Sequence, residues 1–294
     1  MADGGGGGPR ERGKEEEEED DVVCLDPSFF VDRSYEMTTF TYGSQVLQLL
    51  CLRAASTDYD LTGQLVWPGA VLMNTYLSEH PETVKGCSII ELGSGIGITG
   101  ILCSRFCKEV VLTDHNDEVL EIIKKNVEVQ SCSENADAVL TAEKLEWGNY
   151  DHINNIIEKH PSGFDLILGA DICFQQSSIP YLFDTVEKLL RMQAGKCRFI
   201  LAYVSRAKVM DALLPKEAEK RGMLVEEVDG TRTTISNLEG KLMFLPPCTL
   251  MVLGLSTVSL TKKCRVICIG AMVFANHQSI NETTRHWKPL RGIN

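Results

Sequence analysis

Between Ser88 and Gly100 the chain reads Ser-Ile-Ile-Glu-Leu-Gly-Ser-Gly-Ile-Gly-Ile-Thr-Gly. Glu91 is followed by glycines at alternate positions, Gly93, Gly95 and Gly97, with Ser94 between the first two. An apolar run, a glycine turn and a helical apolar stretch from Ile98 to Phe106 form the layout that brings backbone N–H groups close to a ligand. Glycine suits the turn because a Cβ would block that approach or forbid a positive φ. A second carboxylate, Asp114, closes the apolar run Glu109-Val-Val-Leu-Thr-Asp114. At the carboxyl end of a strand it can accept both hydroxyls of a ribose. A third, Asp171, closes Phe164-Asp-Leu-Ile-Leu-Gly-Ala-Asp171, and Phe174 lies shortly beyond it.

These residues admit more than one ligand. Gly95, Gly97 and Gly100 satisfy G-x-G-x-x-G, and Asp114 lies about 20 residues on, as in a dinucleotide site. Against that ligand, Glu91 would repel a diphosphate, while it would tolerate the cationic sulfonium and amino groups of S-adenosylmethionine. A glycine turn with no ligand is the third reading.

The elements that must position these groups alternate. Strands are expected at the glycine motif, at Glu109–Asp114, at Ala138–Leu145, at Phe164–Asp171, at Cys197–Val204 and at Met223–Val228. Helices are expected after Asn116 or Asp117, over Ile179–Arg191 and over Ala207–Arg221. Alternation of this kind predicts an α/β fold with a doubly wound, mostly parallel sheet. Before it, Thr38–Leu52 reads as a hairpin turning at Tyr42-Gly-Ser-Gln45. Arg53–Leu61 reads as a loop. Pro68 suits the first turn of a helix, and Trp67 stands just before it.

Residues 1–21 hold a glycine run and then an acidic run, nine acids against three bases, half of the chain's net charge of −12. That composition predicts a disordered tail. The domain is expected over residues 22–255 and an atypical extension over 256–294, with two apolar stretches, Leu242–Leu260 and Cys264–Ala275, one of which is expected to supply a final strand. No basic stripe favours nucleic acid as a partner. The eleven cysteines include no C-x-x-C pair, and the six histidines show no ligand spacing, so no metal site is expected. Thiols of this kind suit a reducing compartment, cytoplasmic or nuclear, and neither apolar C-terminal half is long enough to span a bilayer. A monomer is expected.

Four features align: Val-Trp67-Pro-Gly-Ala, Glu91-Leu-Gly-Ser-Gly-Ile-Gly97, Thr113-Asp114, and Gly169-Ala-Asp171-Ile-Cys-Phe174 after Glu146-Trp147-Gly. Together they resemble the seven-β-strand (class I) protein-lysine methyltransferases, over about residues 37 to 240. The resemblance implies S-adenosyl-L-methionine as cofactor and a protein lysine as acceptor. It implies that Trp67, Glu91, Gly93, Ser94, Gly95, Gly97, Asp114, Trp147 and Ala170 serve the methyl donor. It gives Asp171 and Phe174 the acceptor side, where Asp171 could orient the amine and Phe174 could form an apolar wall. Phe174 departs from the tyrosine version of the motif and brings no hydroxyl. The C-terminus departs from the short hairpin that normally ends the family's fold. Other acceptors, a nicotinamide oxidoreductase and a non-catalytic adaptor are the competing readings.

Overall fold

The computed structural model describes residue 1 and residues 34–52, 59–131, 138–193, 196–229, 231 and 248–255. The expected tail over residues 1–21 and the expected extension over residues 256–294 lie outside the described residues, apart from residue 1.

Seven strands form one sheet: β3 (Ser88–Leu92), β4 (Glu109–Asp114), β5 (Val139–Lys144), β6 (Leu166–Ala170), β7 (Arg198–Val204), β8 (Met223–Glu227) and β9 (Cys248–Leu255). Their order is β5-β4-β3-β6-β7-β9-β8. The pairs from β5 to β7 are parallel, and β9 runs antiparallel to both neighbours. The β8–β9 pair is thus the closing hairpin, although a long stretch of chain separates the two strands. The predicted run Leu242–Leu260 supplies β9.

Alternate residues of each strand enter two different cores, as the pleat requires. Ile89, Val110, Leu112, Leu168, Ile200 and Ala202 pack with the residues of α1 (Pro68–Glu79), α2 (Ile98–Cys103) and α3 (Asp117–Ser131). Ile90, Val111, Ile167, Phe199 and Leu201 pack against α4 (Tyr150–Lys159), α5 (Ile179–Arg191) and α6 (Lys208–Lys220) on the other face. Ile89, Ile90, Val110, Val111, Ile167 and Phe199 are fully buried. At about 25 cal/mol per Å² of apolar surface removed from water, such side chains dominate the stabilisation.

An N-terminal antiparallel hairpin, β1 (Glu36–Tyr42) and β2 (Gln45–Cys51), lies against the first of these layers. Side chains of α3 satisfy the free edge of β2. Asn126 accepts the Leu50 N–H at 2.7 Å and donates to the Leu50 carbonyl at 3.0 Å, and Gln130 donates to the Gln48 carbonyl at 3.0 Å. Asn126 also donates to the Ile96 carbonyl at 2.9 Å, tying the hairpin to the glycine turn.

Two expected boundaries move. The helix after the turn ends at Cys103 instead of Phe106, because Ser104 N–H bonds back to Gly100 while the next two N–H groups take tighter bonds to Leu102 and Cys103. Part of the expected loop before Leu61 belongs to a short 3-10 helix, Tyr59–Gln64. Asn116 caps α3 by accepting the N–H groups of Glu118 and Val119.

The chain goes from β3 outward to β4 and β5, then crosses back to β6 and β7 on the other side. The β3/β6 boundary is therefore the topological switch point, where open α/β sheets leave a crevice beyond the carboxyl ends of the strands. Among the described residues no helix is long and apolar enough to cross a membrane.

Candidate active site

At that switch point lies a cavity of about 560 Å³. It falls within the range of small-molecule sites. Trp67, Glu91, Gly93, Ser94, Gly95, Asp114, Trp147, Ala170, Asp171 and Phe174 all line it. Ten of the residues predicted from sequence are thus brought together. Gly97 is not among the lining residues. It caps α2 with φ +84°, and a Cβ there would point at Leu112 and Ile101 in the core. Its role is to turn the chain, and its expected place at the donor is corrected accordingly.

One wall is built almost entirely from the glycine turn and the ends of β3 and β4. The Ser94 N–H donates to the Thr113 carbonyl at 2.8 Å, and the Thr113 N–H donates to Ser94 Oγ at 3.0 Å. Asp114 is 6% exposed and accepts backbone N–H groups on both oxygens: His115 at 2.8 Å and Asn116 at 3.2 Å on Oδ1, Gly95 at 3.2 Å on Oδ2. Oδ1 thus has both acceptor sites filled, and Oδ2 keeps one further site. Gly95 has φ +55°, and a Cβ on it would lie 2.6 Å from the Gly63 carbonyl oxygen. The 3-10 segment therefore closes over the turn, and Thr62 and Gly63 line the cavity. The Trp67 indole is held by its N–H to the Thr62 carbonyl at 2.7 Å.

Glu91 lies beneath this wall. Its Oε2 accepts the Gly100 N–H at 2.9 Å, and burial pushes its carboxyl up to about 7. Near neutral pH it is therefore partly protonated, and its repulsion of a diphosphate is weaker than its residue type suggests. Gly100 itself is required by packing, because a Cβ would lie 2.2 Å from Leu112 Cδ2.

The opposite wall is assembled from distant segments. Asp171 follows β6 with φ +60°, a conformation uncommon for a residue other than glycine. Its side chain is 1% exposed. The Arg206 guanidinium, from the β7–α6 connection, donates to both of its oxygens, Nη1 to Oδ1 and Nη2 to Oδ2 at 2.8 Å. The Gly69 N–H, at the start of α1, donates to Oδ2 at 3.1 Å. A Cβ on Gly69 would lie 2.7 Å from Asp171 Cβ and 2.8 Å from its backbone nitrogen. Both Arg206 and Tyr181 line the cavity and escaped the sequence reading, as did the role of Gly69. Arg206 had one signal: it directly follows a predicted strand at its carboxyl end, where open sheets place functional residues. Phe174 and Tyr181 line the cavity and yet are 41% and 57% exposed, so they mark its mouth.

The lining is acidic: Glu91, Asp114, Glu146 and Asp171 stand against Arg206 and His115. Arg206 is already matched to Asp171. This chemistry suits a ligand with cationic centres and ribose hydroxyls, and disfavours a diphosphate. Among the described residues no group of three or more His, Cys, Asp or Glu side chains is placed to hold a metal ion.

A family model described as "Lysine methyltransferase" matches residues 48–220. The chain belongs to this lysine methyltransferase family. Protein N-terminal and lysine N-methyltransferase efm7 of Neurospora crassa is 27% identical, covering 57% of this chain and 63% of its own length. Protein N-lysine methyltransferase METTL21A of Mus musculus is 30% identical over 52% of this chain and 65% of its own. Histone-arginine methyltransferase METTL23 of Mus musculus is 31% identical over 49% of this chain and 54% of its own. The matches thus span less than two thirds of these relatives. The family match covers the glycine turn, Asp114, Asp171 and Arg206 together.

Proposed function

We propose that this chain is an S-adenosyl-L-methionine-dependent methyltransferase that modifies a lysine side chain of a protein. The observation that carries the reading is the acid-lined cavity at the switch point, with Asp114 fixed across the glycine turn by three backbone N–H groups. A carboxylate so held is ready to receive a ribose hydroxyl on Oδ2, and the remaining acids favour the donor's cationic groups. Membership of the lysine methyltransferase family supports the acceptor.

When bound, the donor supplies an electrophilic methyl group on a sulfonium. The protein's part is to hold, orient and exclude. Asp114 would hold the ribose. Leu145 and Trp147 line the cavity and would supply apolar contact for the adenine, with Trp147 beside Gly93. On the acceptor side Asp171 is fixed in place, with both acceptor sites of Oδ2 taken by Arg206 and Gly69 and one site left on Oδ1 for an amine N–H. A lysine amine has a reference pKa of about 10.4 and attacks only when neutral. An apolar wall at Phe174 disfavours the charged form by desolvation. Positioning in line with the sulfonium–methyl bond then accounts for most of the rate.

A cytoplasmic or nuclear setting belongs to the same proposal, supported by the free thiols of Cys51, Cys87, Cys103, Cys107, Cys173 and Cys197. So does action as a monomer without nucleic acid, supported by the net charge of −12.

The test is calorimetric titration with S-adenosylhomocysteine and, separately, with NADH. Binding of the first alone supports the donor reading. It is followed by transfer of labelled methyl groups to protein and identification of the modified residue by mass spectrometry. Binding of NADH alone moves the chain to the oxidoreductases, and label on arginine or on an α-amino group overturns lysine as acceptor.

A further inference from the structure

Arg206 is the one arginine, with no lysine beside it, among the described residues that line the cavity. Arg206 approaches Asp171 with both terminal nitrogens, and its guanidinium carbon lies 5.8 Å from the centroid of the Trp67 ring. The loop that carries it is fixed from behind. The Tyr203 hydroxyl donates to Asp211 Oδ1 at 2.6 Å, and the Ser205 hydroxyl donates to Asp211 Oδ2 at 2.9 Å. Asp211 is itself buried in the first turn of α6. Gly69 closes the arrangement from the start of α1. Three chain segments therefore meet on one carboxylate, and that carboxylate sits on backbone at φ +60°.

We infer that Arg206 is a positioning residue of the transfer site, acting through Asp171 to hold that carboxylate in place and aimed at the reacting centre. The inference rests on the donor reading above. Removing one partner of a buried ion pair leaves the other uncompensated and disturbs the site that holds it. A planar fork holds both oxygens at once, which an ammonium cannot do. Arg206 therefore has a function distinct from supplying positive charge to the cavity.

The experiment compares two ligands and needs no acceptor. Sinefungin carries a primary amine where the donor has its methyl group, on a carbon that replaces the sulfur, and S-adenosylhomocysteine keeps the sulfur but carries no group in the methyl position. The ratio of their affinities reads the acceptor side alone. Asp171→Asn is expected to lower the preference for sinefungin about tenfold, and Arg206→Gln to lower it comparably. Neither is expected to shift S-adenosylhomocysteine affinity more than about threefold. Adding Arg206→Gln to Asp171→Asn should cost nothing further, as expected of residues that act as one unit. If Arg206→Gln does not fold, Arg206→Lys replaces it, with a partial loss expected.

A ratio that stays at the wild-type value in Arg206→Gln or Arg206→Lys overturns the inference. So does a further loss in the double variant, or a tenfold fall in S-adenosylhomocysteine affinity. Binding of neither ligand by the folded wild-type chain overturns the donor reading itself, and the inference with it.

Discussion

Two buried carboxylates line the same cavity and are stabilised in opposite ways. Glu91 is 2% exposed and accepts the neutral N–H of Gly100, and burial drives its carboxyl up to about 7. Asp171 is 6% exposed and is met by a guanidinium and a helix-start N–H. The partner of Glu91 lies nine residues away in the chain, whereas those of Asp171 lie 102 and 35 residues away. The donor wall is thus a local motif whose charge has no counter-ion of its own. The acceptor wall is an assembly that brings its counter-ion with it. A cationic donor would complete the first wall, whereas the second is complete without a ligand.

The sharpest way to break this comparison is at Asp171. Asp171→Asn should lower methyl transfer by roughly a hundredfold or more, in the range expected for groups acting at the reacting centre. S-adenosylhomocysteine affinity, measured by calorimetry, should stay within about threefold of wild type. Equal loss of both would make the two walls one unit.

Gly69→Ala comes next. The added Cβ would meet the Cβ and backbone nitrogen of Asp171, and backbone cannot rotate away as a side-chain tip can. Overpacking of this kind costs about 1–3 kcal/mol, and the upper end is expected here. Thermal or urea unfolding measures it. A neutral result would mean that α1 can slide away from Asp171 without penalty, and that the acceptor wall is looser than its contacts imply.

The same contrast explains what could be read from the sequence. Glu91, the glycines and Asp114 stand next to the strands that carry them, so type and spacing sufficed. Trp67 and Asp171 were placed by resemblance, but their partners were not. Nothing local says that Gly69 must lack a Cβ, because the atom it would strike belongs to Asp171. Arg206 likewise gains its role only when β7 pairs beside β6. Gly97 shows the converse error. Alternate spacing put it in line with Gly93 and Gly95, but a Cβ at Gly97 would face Leu112 and Ile101 in the core, and Gly97 is not among the residues that line the cavity. The position of β9 was open because pairing between β7 and β8, not local pattern, selects Cys248–Leu255 from a longer apolar run.

On the donor wall, Asp114→Ala should weaken S-adenosylhomocysteine binding about thirtyfold, or about 2 kcal/mol, within the range for hydrogen bonds to a charged group. The fold should persist, since β4 keeps its pairing with β3 and β5. Unchanged affinity would remove Asp114 from the ribose contact and leave the acidic lining without its central member.

The smallest effect tests the uncompensated charge directly. The Glu91 carboxyl rises from 4.5 to about 7 on folding. Below the unfolded value both states are protonated, and burial carries no ionic cost. Between the two values the folded state binds the extra proton, so wild-type stability should rise as pH falls from 7 toward 4.5. Above the folded value the buried carboxylate is charged and the full cost applies, on the order of 2 kcal/mol after allowing for relaxation around the site. Glu91→Gln keeps an oxygen to accept the Gly100 N–H and cannot ionise. It should therefore be more stable than wild type by about that amount at pH 8, and equal to it at pH near 4.5. Urea titrations at the two pH values decide the matter. A gain at both would assign the effect to packing, and no gain at either would mean that Glu91 already has a compensating partner, as Asp171 does.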